Sequence, residues 1–351
     1  MCLPPEPPTR ALLIINRTAG TGQDQSITEK LTSVFKQGLH ELPQVQVELV
    51  SNHAAARACA ARFMRDSDAP ALIVAGGGGG TLRAVIEGIC ETSAMKRVSV
   101  AALRLGSGNV LAKQFGVPRD PITGIERLLV NLKARWTIPC CVMRCQTWTR
   151  SGDPEVHHAV TLGGLGQFGR IPSDLARWHA RLPLIHKGAA KLGIEKFTNV
   201  EYAFALFIRS LSCMLFPDRA ETVEIQFQNQ KECFQLLSGL VMNFPFGVLP
   251  FKPDVTVADE SLMVYLIPVL GRRSSLWQAV APKRLIPHTR SIKIEKNQTL
   301  EIRFVDRECV EFFLDEDPVT TYGRLSLQVA GSIAFVPGAE SQYLPEREIS
   351  K

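Results

Sequence analysis

The sequence predicts an α/β protein: an N-terminal domain built on a doubly wound parallel sheet, then a second, β-rich antiparallel domain, sandwich-like. Three observations carry this. Apolar runs of strand length alternate with helical periodicity from Arg10 to about Arg135. Three glycine-bearing turns end strands on one edge of that alternation, where such folds bind ligands. Beyond Trp136 the texture changes to short runs of alternating polarity with few helices between them. A chain of 351 residues is longer than one core usually serves. The expected division is 1–135 for the α/β domain and 136–324 for the β-rich domain, with about 325–351 returning to the first.

The elements follow in order. Ala11 to Ile15 is a short apolar strand, and Ser26-x-x-Glu29 reads as a capping box that opens a helix with Ile27, Leu31, Val34 and Phe35 on one face. Val45 to Val50 alternates as a strand, Ala54 to Arg65 is helical, Ala71 to Ala75 is a strand and Leu82 to Cys90 a helix. Arg97 to Leu103 is the next strand, followed by helices at Val110 to Phe115 and Pro121 to Leu132. In the second half, strands are expected at Ile138 to Thr149, Ala159 to Leu162, Thr222 to Phe227, Cys233 to Met242, Ser261 to Pro268, Ser291 to Glu295, Thr299 to Val305 and Val310 to Leu314.

Composition bounds the function. With 45% hydrophobic and 21% charged residues the chain reads as globular. No apolar segment approaches the ~20 residues needed to cross a bilayer, and the leader MCLPPEPPTR lacks the apolar centre of an export signal. Nine cysteines without metal-ligand spacing point to reduced thiols and a cytoplasmic protein. A net charge of +6 does not single out nucleic acid, and no such partner is expected. Between Arg170 and Phe197 six basic residues interleave with Trp178 and several leucines. This stretch reads either as a surface for acidic membrane, peripheral at the inner face, or as a solvated helical pair.

The stretch IVAGGGGGTLRAVIEG, residues 73 to 88, carries the most information. Glycine loses the most backbone entropy on folding, so five in a row between a strand and a helix imply close approach to the backbone. A phosphate bound by N–H groups at a helix N-terminus explains them; a flexible linker would be flanked by polar residues. Two further turns, Asn16-Arg17-Thr18-Ala19-Gly20 and Leu105-Gly106-Ser107-Gly108-Asn109, end strands on the same edge. Ser107 and Asn109 are thus expected at a nucleotide or its acceptor, although Asn109 also suits a helix cap. Asp315-Glu316-Asp317-Pro318 follows an apolar strand and by itself reads as a charged turn.

In this order and spacing the four motifs resemble the diacylglycerol kinase catalytic family, and in particular its soluble bacterial lipid kinases, related to sphingosine kinases and NAD kinases. Leu162-Gly163-Gly164-Leu165-Gly166 and the segment Pro253 to Leu262 extend the resemblance over nearly the whole chain. It implies ATP and Mg2+, nucleotide binding by Asn16, Gly20, Gly77, Gly78, Gly79, Gly80, Thr81, Ser107 and Asn109, and transfer of a phosphoryl group to a lipid hydroxyl. Asp315 would take the hydroxyl proton, supported by Asp317, which stands for the family's glutamate. The metal ligands are not identified. Gly79 replaces the acidic residue of the family's Gly-Gly-Asp-Gly-Thr motif, which motivates a second reading, a pseudokinase that binds nucleotide or lipid without turnover; the third reading is a Rossmann-type dehydrogenase. The last is weakened because Arg104 stands where an acidic residue should end the strand.

Overall fold

The computed structural model describes residues 6–106, 109–181, 197–216, 220–244, 251, 253–271, 274–315 and 317–338. Four parallel strands open the chain: β1 (Arg10–Asn16), β2 (Gln44–Val50), β3 (Ala71–Gly77) and β4 (Val98–Arg104). They lie in the order β4-β3-β1-β2. Their alternation divides the side chains between two helical layers. Ala11, Leu13, Ile15, Leu72 and Val74 face α1 (Gln25–Gly38) and α5 (Pro121–Lys133) through Leu31, Phe35, Ile125 and Leu128. Leu12, Ile14, Ile73 and Ala75 face α2 (His53–Arg65) and α3 (Gly79–Cys90) through Phe63, Met64, Leu82 and Val85. Helices on both faces make the sheet doubly wound. The short α4 (Val110–Gln114) leads into α5.

Helix α1 is capped differently from the expectation. Asp24, two residues before Ser26, accepts from the main-chain N–H of Ser26 at 2.8 Å, and Ser26 donates its hydroxyl to the same oxygen. Asp24 therefore occupies the cap, because a carboxylate accepts both donors and complements the helix dipole at this end.

The second half contains β5 (Ile138–Trp148), β6 (Pro154–Ala159), β7 (Leu162–Leu165), β8 (Glu221–Phe227), β9 (Gln230–Met242), β10 (Ser261–Pro268), β11 (Arg290–Glu295), β12 (Thr299–Phe304), β13 (Cys309–Leu314) and β14 (Asp317–Tyr322). Their pairings with one another are antiparallel, and they pack one core that includes Met143, Val223, Val264, Ile302, Phe312 and Leu327 and a second that includes Leu237, Leu240, Tyr265 and Phe313. Helices α6 (Gly166–Gly169), α7 (Ile171–Arg181), α8 (Phe197–Leu215) and α9 (Ser274–Val280) accompany them.

The last strand, β15 (Arg324–Phe335), pairs antiparallel with β5 and β12, then with β4 in parallel through Ala334 and Phe335. One mixed sheet thus runs through both halves. The register shifts between Val329 and Gly331, and Gly331 has φ +137°, a conformation glycine adopts readily.

Two local expectations fail. Ala159 to Leu162 is not a strand, because pairing stops at Ala159 and resumes at Leu162. The intervening N–H groups turn instead to Asp315, as described below. Nor is the stretch after Leu314 only a turn. Asp317 opens β14, opposite Leu314 in a hairpin whose loop residue Asp315 has φ +49°.

Candidate functional site

The three turns on the carboxyl edge of the parallel sheet are laced together by main-chain hydrogen bonds. Thr21 N–H donates to Leu105 O at 3.0 Å, and the N–H groups of Leu105 and Gly106 both donate to Gly77 O, at 3.1 and 3.0 Å. Asn16 Nδ2 donates to Thr81 Oγ1 at 3.0 Å, while Asn16 Oδ1 accepts from Thr18. Asn16 and Thr81 are buried, and these bonds engage them with each other. They fix the shape of the cradle from behind.

The five glycines divide by what surrounds them. A Cβ on Gly77 would lie 2.3 Å from Thr81 Oγ1, one on Gly80 would lie 2.3 Å from His53 Cε1, and one on Gly76 would sit 3.1 Å from Ile14 O. Protein atoms press on all three, although at Gly80 the nearest is the ring tip of the half-exposed His53, which can turn aside. Gly20 belongs with them: it has φ +41° and its Cβ would collide with Leu105 O. Gly78 and Gly79 are different, since the nearest atoms to their Cβ positions are at 3.7 and 3.8 Å. Nothing in the fold excludes a side chain there, and both line a cleft. Gly78 is the N-cap of the twelve-residue α3 and Gly79 its first residue, so their unpaired N–H groups carry the positive end of the helix dipole.

The same cleft is lined by Val160, Thr161, Leu162 and Asp315 of the second half, and by Leu82, Ala102 and the segment Asn109 to Ala112 of the first. Asn109 has φ +40° and its side chain donates to Gly106 O, closing its own turn without capping α4. Ser107 lies outside the described residues.

Asp315 is buried, and its carboxylate is held by four donors. Val160 N–H reaches Oδ2 at 2.8 Å; Thr161 N–H at 2.8 Å, Thr161 Oγ1 at 2.5 Å and Leu162 N–H at 3.2 Å reach Oδ1. Desolvation pushes its pKa up, opposed by the hydrogen bonds from Thr161 and Val160 and by the charge of Arg83. With about four lone-pair sites on a carboxylate, Oδ2 keeps room for one more donor. Asp317 lies beside Gly80 and receives Arg83 at 3.4 Å, with His53 Nδ1 at 3.8 Å. Burial raises its pKa against the pull of Arg83 and His53.

These residues do not make a protein-held magnesium site. Gly79 offers no side-chain oxygen, Asp315 is engaged by four N–H and O–H donors, and Asp317 faces Arg83. Among the described residues no group of three or more His, Cys, Asp or Glu is placed to hold a metal. Mg2+ can be bound through one or two carboxylates plus substrate phosphates, and the phosphates would have to supply most of its ligands here.

Sequence reasoning missed Arg83, Glu87, His53, Thr161 and the 160–162 main chain. Arg83 and Glu87 left a signal, an i,i+4 ion pair inside the otherwise apolar run of α3. The 160–162 donors left none, since main-chain groups have no sequence identity. In the basic stretch after Arg170, Trp178 packs at 5.8 Å against Phe204 of α8, and Arg170 pairs with buried Glu221. Residues 182–196 of that stretch lie outside the described residues. No helix among the described residues is long and apolar enough to cross a membrane.

Residues 10–138 match the model of the diacylglycerol kinase catalytic domain. A candidate diacylglycerol kinase of Bacillus anthracis str. Sterne has a similar solved structure, with TM-score 0.62 and 18% identity over 94% of this chain and 95% of that one. A diacylglycerol kinase of the same organism gives TM-score 0.59 and 16% identity over 94% and 97%. At this identity the likeness is one of fold. No curated protein matches the chain.

Proposed function

We propose that the protein is a lipid kinase, transferring the γ-phosphoryl group of ATP to a lipid hydroxyl such as that of a diacylglycerol or a sphingoid base. One observation carries the reading: Gly78 and Gly79, alone of the five glycines, have room for a Cβ without a close contact, and at the N-terminus of α3 they line the same cleft as a buried carboxylate. Phosphoryl transfer is mostly positioning and electrostatic stabilisation, which main-chain N–H groups and a helix dipole provide.

In this reading the N–H groups of Gly78 and Gly79 hold phosphate oxygens, with Asn16, Gly77 and Thr81 setting the turn behind them. Asp315 accepts the hydroxyl proton through the open position on Oδ2, and its raised pKa suits a proton acceptor better than an ordinary carboxylate would. Asp317 holds the hairpin against Arg83. Magnesium, bound to the phosphates, would neutralise their charge. The acceptor is proposed to be presented at a membrane surface. Exposed Phe204, Phe207, Ile208 and Leu215 on α8 support an apolar acceptor side.

The pseudokinase reading has its own support. Gly79 supplies no carboxylate, and the four donors on Asp315 lower the basicity that burial raises. The test is incubation of the full chain with labelled ATP, magnesium and vesicles of mixed lipids. Label in one lipid class supports the kinase. A nucleotide-induced thermal shift with no labelled lipid supports the pseudokinase, and neither shift nor label removes both.

A further inference from the structure

Helix α3 buries two charges, Arg83 and Glu87, among apolar neighbours. A buried guanidinium is costly unless its donors are met, and those of Arg83 are met from four places. Nε donates to His158 O at 3.2 Å; one Nη donates to Leu314 O at 3.1 Å and to Asp317 at 3.4 Å; the other donates to Glu87 Oε1 at 3.1 Å. Glu87 Oε1 accepts in turn from His158 N–H at 3.4 Å. The His158 peptide is therefore gripped on both its oxygen and its N–H by one i,i+4 pair.

Both grips fall beside the acidic turn. Leu314 immediately precedes Asp315, and His158 lies two residues before Val160, the first of the N–H donors to Asp315. Arg83 itself is four residues beyond Gly79, on the same helix. A displacement of the glycine turn is thus passed through one rigid helical turn to both segments that hold Asp315.

We propose that Arg83 is a positioning residue that couples the glycine cradle to the Asp315–Asp317 hairpin, so that the two walls of the cleft respond to a ligand as one body. The fork of five N–H groups matters: a lysine keeps the charge but its three donors on a single nitrogen cannot span acceptors in three separate segments. The consequence for turnover rests on the kinase reading; the mechanical link does not.

Hydrogen exchange of the full chain tests this, with and without a non-hydrolysable ATP analogue and magnesium, in the natural protein, Arg83→Lys and Arg83→Ala. In the natural protein the nucleotide should slow exchange both at residues 76–82 and at residues 309–322. In both variants it should still slow 76–82 but leave 309–322 unchanged, and free guanidinium should restore the hairpin response to Arg83→Ala alone. A hairpin response that survives in the variants, or that is absent in the natural protein while the turn responds, overturns the coupling. If nucleotide changes neither region of the natural protein, the kinase reading falls. The coupling is then judged without nucleotide: exchange must rise together at 76–82 and 309–322 in Arg83→Ala, and a rise in one region only, or in neither, overturns it. Should Arg83→Ala fail to fold, Arg83→Lys carries the comparison. Where turnover is measurable, Arg83→Lys should lower kcat, counted per folded protein from its thermal melt, about tenfold or more while KM for nucleotide stays within about threefold.

Discussion

The Cβ position of Gly79 points toward the main-chain oxygen of Asp315, 3.8 Å away, with no nearer protein atom. A Cβ at 79 therefore meets only ordinary contact, and as the first residue of α3 the position needs no positive φ. Gly79→Asp should fold, and its charge at the helix N-terminus should leave the thermal midpoint equal or higher. If the missing carboxylate limits the chemistry, transfer of label to lipid should rise by a factor on the order of 10². An unchanged rate in a folded variant would show that the natural site does not need that carboxylate.

Gly77 and Gly78 are adjacent, yet substitutions there should separate stability from binding. Gly77→Ala drives its Cβ to 2.3 Å from Thr81 Oγ1 and should lower stability by about 1–3 kcal/mol. Gly78→Ala meets nothing closer than 3.7 Å, so its thermal midpoint should stay near that of the natural protein. Its methyl group would stand where a phosphate must approach the main chain, and the nucleotide-induced shift should shrink. Equal shifts in the natural protein and Gly78→Ala would remove Gly78 from the phosphate site.

How much of this was legible in the sequence depends on the range of the interaction. Strands such as Ala71–Gly77 and helices such as Pro121–Lys133 announce themselves by periodicity, because their faces are set by neighbours a few residues away. The break after Ala159 does not, because the groups that leave the ladder there bond a carboxylate more than 150 residues distant. A different cause hides β14: its opening Asp317-Pro318 has turn composition, and it becomes a strand by pairing in a hairpin with the neighbouring Leu314 and Phe313. Of the candidate site, the glycines were legible as a group. Their division into packed and open members required the positions of Thr81, His53 and Ile14.

His158 gives the stability a pH dependence. Burial pushes its pKa from the usual 6.5 down to about 4, so the folded protein holds it neutral where the unfolded chain binds a proton. Below pH ~6.5 the unfolded state gains that proton and stability falls with pH until about 4, a loss of about 2–4 kcal/mol in all. His157 is shifted in the same direction, chiefly by burial, and adds to the slope. Thermal melts across this range should show a steeper acid limb for the natural protein than for His158→Phe. Parallel limbs would mean that His158 titrates normally in the folded state.

Asp315→Asn should cost stability as well as activity, a different outcome from a shape-preserving change at a base with no other duty. The backbone is not the source of the cost, since asparagine tolerates the φ of +49° found at this position. The donors are. In the better orientation the amide oxygen keeps Thr161 and Leu162, but the amide nitrogen then faces Val160 N–H, donor against donor, and the negative charge that strengthened all four bonds is gone. Losing one charge-assisted bond and weakening the others costs about 2–4 kcal/mol. Thr161→Val removes a single hydroxyl donor and should cost less, about 1–2 kcal/mol. In the kinase reading Asp315→Asn also loses label transfer while the nucleotide-induced shift persists at temperatures where the variant is folded. Urea titrations of the two variants decide the structural half: equal midpoints for Asp315→Asn and the natural protein would mean that the ring of donors contributes nothing to the fold. The activity half is decided separately, because transfer that survives in folded Asp315→Asn would require another group to take the hydroxyl proton, with Asp317 the adjacent carboxylate.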